Sequence, residues 1–359
     1  MGAMFFLMEF VRLAREARAP AARRRRVQDF RLARMVRHAG AHVPFYREAF
    51  AAALFDPASV RGLDDLPRTP VTRKMDYRRR PPEERLAAGI RAADCHVEHT
   101  SGSTGIPLNV YLSAREQTER SALWLRARMR HGLWPWRRHL LIGYYRTGPE
   151  PWYERRLRLH ITAVEGWKTP ERFRPQILSA YPTQLVAFVK ELHRWGIPPP
   201  RPKAVRTGGE MLLPPVRQWL ERTFGAPVYD FYGTIEFGVL GSPCPARGGF
   251  HLTSDDHVVE VAKDGRPVEP GEEGDILITS LVARTMPLIR YEIGDVGVLA
   301  PVTSCPCGNP FPRIARLSGR SEEMIVLPGG RRASPRLAAI PFWENTNILQ
   351  YCVTQRAVG

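Results

Sequence analysis

The sequence predicts an α/β fold in which strands and helices alternate around a parallel sheet, followed by a smaller β-rich region. Two observations predict the α/β core: apolar strand-like runs alternate with segments whose apolar residues recur at helical spacing. A third observation predicts the second region, since short β-type runs between glycine and proline turns occupy residues 250 to 300. Alternating strands and helices favour parallel pairing, because a helix supplies the crossover between parallel strands.

The individual elements follow in chain order. Residues 1 to about 55 have a helical, arginine-rich pattern, and Pro67 and Pro70 indicate a linker. Later helices are predicted at 114–131, around Phe188, Leu192 and Trp195, and around Val216, Leu220 and Phe224, where Gly225 caps the end. Strands are predicted at Cys95–His99, Leu108–Leu112, Leu140–Ile142, Pro227–Phe231, His257–Val261, Asp275–Thr279 and Val296–Leu299.

The composition is that of a globular protein. The 359 residues, 43% hydrophobic and 25% charged, suit one large domain of two packed subdomains. No apolar run has the length of a membrane span, and the apolar stretch Met4–Met8 ends at Glu9 without the pattern of a signal peptide. A cytoplasmic location is therefore expected.

The formal net charge of +17 comes almost entirely from arginine. GC-rich coding is one explanation, and an anionic partner such as a nucleotide, a nucleic acid or an acidic membrane is the other. The densest cluster, Arg23–Arg26, follows Phe6, Phe10 and Leu13 at helical spacing. A solvated helix face accounts for this cluster, and a basic amphipathic helix that touches lipid is the alternative.

A run of hydroxyl-bearing residues and glycines lies between the two extended segments near residue 100. It reads Thr100-Ser101-Gly102-Ser103-Thr104-Gly105. Such small residues let backbone N–H groups and hydroxyls approach phosphate oxygens closely. The Gly-Lys-Ser/Thr ending of a Walker loop is missing, so the run is either a phosphate-binding loop of another type or an ordinary turn.

Two further motifs place carboxylates beside strands. In Tyr232-Gly233-Thr234-Ile235-Glu236, Tyr232 could stack on a purine and Glu236 could hold Mg²⁺ beside phosphates. In Gly294-Asp295, a turn after a strand could present a carboxylate to the hydroxyls of a ribose. A surface turn with a solvated glutamate and a simple hairpin turn are the respective alternatives. The segment Gly319–Ile325 is by itself typical of a polar turn.

Five cysteines, an odd number without a secretion signal, argue against a disulfide framework. Cys244, His251, Cys305 and Cys307 form a Cys-x₆-His…Cys-x-Cys pattern. Three thiolates and one imidazole make a closed tetrahedral set that suits structural Zn²⁺. Unrelated cysteines in a turn-rich region are the alternative interpretation.

The order and spacing of these motifs resemble the adenylate-forming superfamily, which includes acyl-CoA synthetases, firefly luciferase and peptide-synthetase adenylation domains. The chain looks most similar to the phenylacetate-CoA ligase branch and its capsule-biosynthesis relatives. Support also comes from His38-Ala39, Val43–Arg47, Thr69–Lys74 and Gly208-Gly209-Glu210. The resemblance implies a large adenylation domain of parallel-sheet α/β subdomains plus a small β-rich subdomain, with the C-terminal lid domain mostly absent.

The resemblance also implies that the chain divides into three parts. Residues 1–85 would form an N-terminal helical, arginine-rich segment, and 86–318 would form the adenylation core, with its β-rich subdomain at about 240–318. Residues 319–359 would form the hinge and the start of the truncated lid. Relatives carry in that lid a lysine that bridges the acid and the α-phosphate, and no lysine of this chain lies beyond Lys263.

The same resemblance implies roles for individual residues. Thr100–Gly105 would be the mobile loop that grips the β- and γ-phosphates. Nucleotide and acid would be bound by Gly208, Gly209, Glu210, Tyr232, Gly233, Thr234, Glu236 (through Mg²⁺), Asp295 (at the ribose) and Arg320 (at ribose or phosphate). Glu322 would occupy the hinge, and Tyr144, Tyr145 and Arg146 would form the acid-binding wall. Ile235 departs from the family pattern, which has a hydroxyl residue there.

The implied function is ATP- and Mg²⁺-dependent adenylation of a carboxylic acid, with coenzyme A as a candidate acceptor. Both reactants are anions, so catalysis would rest on positioning and charge neutralisation, with Glu236, Arg320 and Thr104 as catalytic residues. Two alternatives stay open: transfer of AMP to a non-carboxylate acceptor, and a non-catalytic nucleotide- or polyanion-binding protein. No specific nucleic-acid partner is expected.

Overall fold

The structure is a computed structural model that describes residues 3–100, 107–143, 158–161, 173–246, 248–301, 305–321, 325–327, 332–333 and 354–355. The chain divides into two compact units, each built from two stretches. The first unit comprises Met1–Ala127 and Gly233–Leu317, and the second comprises Arg128–Tyr232 and Ser318–Gly359. The three-part division at 1–85, 86–318 and 319–359 stays a prediction.

The second unit is a parallel sheet with packed helices. Its strands pair in the order β5-β4-β6-β7-β8, each pair being parallel: β4 (His139–Ile142), β5 (Arg158–Ile161), β6 (Ile177–Ser179), β7 (Ala204–Gly208) and β8 (Val228–Thr234, whose last two residues belong to the first unit). Two helices, α7 (Pro182–Arg194) and α8 (Pro214–Phe224), bury their apolar stripes against these strands in one core cluster. The predicted parallel α/β core is confirmed.

The ends of these two helices follow the sequence signals. Proline occupies the first turn of both helices, where its missing N–H costs no hydrogen bond. Helix α8 ends at Gly225, whose φ of +62° is the left-handed cap that glycine adopts without strain. Helix α7 ends before Gly196, which also has a φ of +62°.

The first unit combines N-terminal helices with a mainly antiparallel sheet. The helices are α1 (Ala3–Ala17), α2 (Ala21–His42), α3 (Pro44–Ala52), α4 (Lys74–Arg78), α5 (Pro82–Arg85) and α6 (Ala114–Met129). The strands, in sheet order, are β12 (Arg266–Pro267), β11 (His257–Lys263), β13 (Glu273–Ser280), β14 (Tyr291–Leu299), β15 (Arg313–Arg320, whose last three residues belong to the second unit), β10 (Phe250–Leu252) and β9 (Gly238–Pro243). This part confirms the predicted β-rich region.

Two small strand pairs lie outside these sheets, and short 3₁₀ helices occur at Pro57–Ser59 and Ala92–Asp94. In the first unit, β2 (His96–His99) and β3 (Asn109–Leu112) form an antiparallel hairpin. In the second unit, β16 (Ile325–Val326) pairs with β17 (Arg332–Ala333).

The segment around Pro67 and Pro70 is not a linker, contrary to the sequence prediction. Leu63–Arg68 forms a 3₁₀ helix, and the two-residue strand β1 (Thr72–Arg73) pairs in parallel with β14. The buried guanidinium of Arg290 donates hydrogen bonds to the carbonyls of Pro67 at 3.0 Å and Thr69 at 2.9 Å. The two prolines suggested a linker because proline lacks a backbone N–H and makes few local hydrogen bonds. The residue that holds this segment in place, Arg290, lies more than 200 positions away in the sequence.

Candidate active site

Glu236 lies in the tight turn between β8 and β9, where the sequence predicted a carboxylate after a strand. A Cβ on Gly233 would lie 2.6 Å from the carbonyl oxygen of Gly238, so only glycine allows the turn to close. The Thr234 hydroxyl accepts a hydrogen bond from the backbone N–H of Phe237 at 3.2 Å and thereby stabilises the turn. The Glu236 side chain itself is buried.

Two donors from other parts of the first unit reach the Glu236 carboxylate. The ammonium of Lys74 lies 3.2 Å from Oε1, and the hydroxyl of Tyr291 donates to the same oxygen at 3.3 Å. Burial, with the negative charge of Glu236, raises the pKa of Tyr291 far above its ordinary value, so the phenol keeps its proton and stays a donor. The sequence alone does not indicate the role of either residue.

Strand pairing explains why Lys74 and Tyr291 meet at this carboxylate. In the pairing of β1 with β14, Thr72 lies opposite Tyr291, and Lys74 follows β1 directly. Thr72 is fixed through its backbone N–H, which donates to the Arg290 carbonyl at 3.1 Å, and through its hydroxyl, which donates to the Ile289 carbonyl at 2.9 Å. The cation is therefore held by backbone geometry as well as by the ion pair.

The predicted phosphate-binding loop connects β2 and β3, and its first residue closes the hairpin. Thr100 is buried and exchanges hydrogen bonds with Leu108: its N–H donates to the Leu108 carbonyl at 3.1 Å, and its hydroxyl accepts from the Leu108 N–H at 2.9 Å. The extended flanks of the loop are thus as predicted. Ser101, Gly102, Ser103, Thr104 and Gly105 lie outside the described residues.

Arg120 on α6 connects this hairpin with the Glu236 turn. Its guanidinium donates to the carbonyl of Ile235 at 3.0 Å, to the carbonyl of Glu236, and to the carboxylate of Glu98 at 3.4 Å. Glu98 belongs to β2, close to the start of the loop. Burial lowers the pKa of Arg120, while Glu98 and Glu236 act in the opposite direction, so the guanidinium remains a cation at neutral pH.

Gly294 and Asp295 lie inside β14, which corrects the prediction of a turn after a strand. Along the pairing with β13, Asp275 lies opposite Val296 and Leu277 opposite Glu292, so three residues of β14 face one residue of β13. Gly294 has a φ of +83°, which explains the glycine at this irregularity. The half-buried Asp295 is therefore presented by a β-bulge rather than by a hairpin turn.

The remaining predicted ligand residues belong to the second unit. Gly208 ends β7, and a Cβ there would lie 2.5 Å from the Phe231 carbonyl oxygen. The carboxylate of Glu210 accepts from the Thr183 hydroxyl at 2.9 Å and from its N–H at 3.1 Å, at the N-terminus of α7. Gly209 has a φ of +76°, Tyr232 is buried in β8, and Arg320 is exposed at the end of β15. Tyr144, Tyr145, Arg146 and Glu322 lie outside the described residues.

The four residues of the Cys/His pattern come together in the first unit. One ligand atom from each of Cys244, His251, Cys305 and Cys307 lies within 4.8 Å of all the others. The two sulfur atoms of Cys244 and Cys305 are 3.4 Å apart, and Nε2 of His251 is 3.1 Å from the sulfur of Cys307. In a tetrahedral site, Zn²⁺ has bonds of about 2.3 Å to sulfur and 2.0 Å to nitrogen. Neighbouring ligand atoms are then separated by roughly 3.5–3.8 Å, which is similar to the distances in this cluster.

A backbone contact orients the histidine of this cluster. Nδ1 of His251 lies 3.0 Å from the Phe311 carbonyl oxygen; when Nδ1 carries the proton and donates to that oxygen, the lone pair of Nε2 can coordinate a metal. The strands also determine the position, because β10 carries His251 and pairs with β9, after which Cys244 follows. The donor set and its orientation fit a structural zinc ion.

The comparisons with known proteins agree with the motif pattern, although no protein-family model matches the chain. The chain is 29% identical over 332 residues to phenylacetate-coenzyme A ligase of Thermus thermophilus, an alignment that spans 86% of this chain and 73% of that protein. It is 28% identical over 321 residues to the Escherichia coli K12 enzyme of the same name, spanning 84% and 72%. The chain is therefore similar in sequence, over most of its length, to phenylacetate-coenzyme A ligases.

The fold of the chain also resembles that of a solved CoA ligase. 2-Hydroxyisobutyryl-CoA ligase, in the postadenylation state with an acyl-AMP, has a TM-score of 0.79 at 22% sequence identity. The matched region covers 92% of this chain and 75% of that one. The predicted fold class and the predicted resemblance to phenylacetate-CoA ligases are both confirmed.

Proposed function

We propose that this chain activates a carboxylic acid with ATP, releases pyrophosphate, and passes the acyl group from the acyl-adenylate to coenzyme A. The proposal is supported by the phenylacetate-CoA ligases that match most of the chain, and by the solved CoA ligase that holds an acyl-AMP. Within the molecule, one observation carries the proposal: a buried carboxylate, Glu236, faces the ammonium of Lys74 in the unit that also carries the Ser/Gly/Thr loop.

The Glu236 carboxylate suits Mg²⁺ at a phosphate site. Mg²⁺ commonly takes only one or two protein carboxylates and completes its shell with phosphate oxygens and water. Tyr291 fixes the carboxylate through Oε1, and Arg120 fixes the backbone on either side of it. When bound, Mg²⁺ would neutralise phosphate charge as pyrophosphate leaves.

We assign Lys74 to the same task of charge neutralisation. Its ammonium has three donors, only one of which is needed for Glu236, and its side chain is about a quarter exposed (24%). It can therefore donate to phosphate oxygens while it stays beside the carboxylate. Asp295, Arg320, Tyr232 and the 100–105 loop keep the nucleotide-binding roles that the family implies, as part of this proposal.

Replacing Lys74 by methionine is expected to slow acyl-adenylate formation by about 10²-fold, since a preorganised donor at a developing charge contributes on that order. Lys263→Met is the matched control, because Lys263 is an exposed lysine of the same unit. Single-turnover measurement of acyl-adenylate formation compares the two. Equal rates for both variants would remove Lys74 from the site.

We further propose that the Cys₃His cluster holds one structural Zn²⁺. Four ligands close the coordination shell, which leaves no position for substrate and therefore indicates a stabilising rather than a catalytic ion. Its role here is to tie the chain after β9 to the segment that contains Cys305 and Cys307.

The function is tested by product analysis with ATP, Mg²⁺, coenzyme A and a panel of aryl and alkyl carboxylic acids. At least one acid should give equal amounts of AMP and acyl-coenzyme A. AMP attached to a hydroxyl or phosphate acceptor, or the absence of acid-dependent AMP with every acid, would contradict the proposal.

A further inference from the structure

The first helix exposes a row of large apolar side chains. Met4, Leu7, Met8 and Val11 are 71%, 57%, 61% and 38% exposed. Their spacing of three, one and three residues places them on one side of α1, which is here called the outer face. Single exposed apolar residues are common on protein surfaces, but a continuous row over two helical turns marks an interaction surface.

The opposite side of α1 is occupied by contacts within its own unit, so the helix cannot simply roll to bury its outer face. Leu13 is fully buried, and its carbonyl accepts from Arg126 at 2.9 Å. Glu16 pairs with Arg31 of α2 at 2.8 Å. Arg12 lies 3.8 Å from the buried carboxylate of Asp256. These contacts fix which side of the helix points away from the unit.

Arginines continue the outer face toward the end of α1. Arg15 and Arg18 follow Val11 at spacings of four and three residues, and both are exposed. The start of α2 adds the exposed Arg23 and Arg26. Within the described part of the chain, none of these four guanidinium groups is paired with a carboxylate. They are available to an anionic partner.

We propose that the outer face of α1 docks on an anionic lipid surface. The apolar row would enter the boundary between headgroups and acyl chains, while the unpaired arginines would contact lipid phosphates, as in helices that lie in the membrane interface. Among the helices of the described residues, none has the length and apolar character of a membrane span. The net charge of +17 also attracts the chain to an anionic surface.

Other occupants fit this surface less well. A second copy of the chain would bring the same unpaired arginines together and repel, because a two-fold contact places each patch against itself. A nucleic acid would neutralise the arginines but would leave Met4, Leu7 and Met8 without an apolar partner. A lipid interface offers both an apolar layer for the row Met4, Leu7, Met8 and Val11 and phosphates for the arginines.

Co-sedimentation of the full chain with vesicles tests this proposal. Vesicles of equal parts phosphatidylglycerol and phosphatidylcholine are compared with vesicles of phosphatidylcholine alone. Two double variants are made, Leu7→Gln with Met8→Gln and Arg15→Gln with Arg18→Gln, and each should bind the anionic vesicles about tenfold or more weakly than the natural chain. Leu54→Gln, at a residue 96% exposed in the same unit, is the control and should bind normally.

Three results would overturn the proposal. The first is no co-sedimentation of the natural chain with anionic vesicles. The second is undiminished binding by the Leu7→Gln, Met8→Gln variant, which would indicate attraction to any polyanion. The third is a lipid-free dimer in analytical ultracentrifugation that this variant splits into monomers, which would make the outer face a contact between copies. Thermal unfolding of every variant checks that the surface substitutions leave the fold intact.

Discussion

Glu236→Gln is expected to lower the rate of acyl-adenylate formation by roughly 10³-fold or more while the chain stays folded. Glutamine keeps the shape of the side chain and an oxygen that can accept from Tyr291, but it removes the charge that attracts Mg²⁺. It also leaves the Lys74 ammonium without its partner, so the phosphate site loses a metal ligand and its charge balance together.

The measurement is single-turnover acyl-adenylate formation over a range of Mg²⁺ concentrations. Glu269→Gln is the control, since Glu269 is an exposed carboxylate of the same unit. The variant should need far more Mg²⁺ than the control, and its thermal unfolding should show that the fold persists. Near-normal adenylation at ordinary Mg²⁺ concentration would show that Glu236 does not bind the metal.

Cys305→Ser is expected to lose the zinc ion and to lower the free energy of unfolding by roughly 4 kcal/mol or more, a size confined to changes such as the loss of a metal. The folded cluster brings together four ligand atoms that are far apart in the unfolded chain, so metal affinity contributes to folding. Cys95→Ser is the matched control, because Cys95 lies outside the cluster.

Elemental analysis and denaturant unfolding check this prediction. Protein purified without chelators should contain about one zinc ion per chain, as a single closed site requires. The Cys305→Ser variant should contain none, and the Cys95→Ser control should match the natural chain. Zinc-free natural protein of full stability would contradict the assignment.

The elements that sequence predicted well are those whose signals are local. Gly225 ends α8 because the left-handed cap conformation is a property of one residue, and the β2–β3 hairpin follows from two extended runs around a glycine-bearing loop. The Cys/His set was also predictable, because sulfur and imidazole ligands keep their chemistry whatever the fold.

The parts that sequence did not predict depend on long-range packing. Lys74 meets Glu236 only because the two-residue strand β1 pairs with β14, more than 200 positions later. A strand of two residues has no periodicity, so no sequence pattern could have indicated that pairing. Asp295 was placed in a turn for a similar reason, since a bulge becomes visible only when the partner strand is known.

In helix α1, sequence periodicity alone did not show which side of the helix is buried. Phe6, Phe10 and Leu13 recur at helical spacing, and so do Met4, Leu7, Met8 and Val11, so the first turns are apolar on both sides. Periodicity cannot say which side packs against the protein. The structure buries Leu13 and exposes the other row, which is the outer face that we propose to dock on an anionic lipid surface.

ATP–pyrophosphate exchange in the absence of coenzyme A tests the central claim most directly. If an acyl-adenylate forms at this site, exchange should require both the acid and Mg²⁺, should proceed without coenzyme A, and should be lost in Glu236→Gln. Exchange that needs coenzyme A, or an acid that yields its thioester without supporting any exchange, would contradict adenylation as the first step.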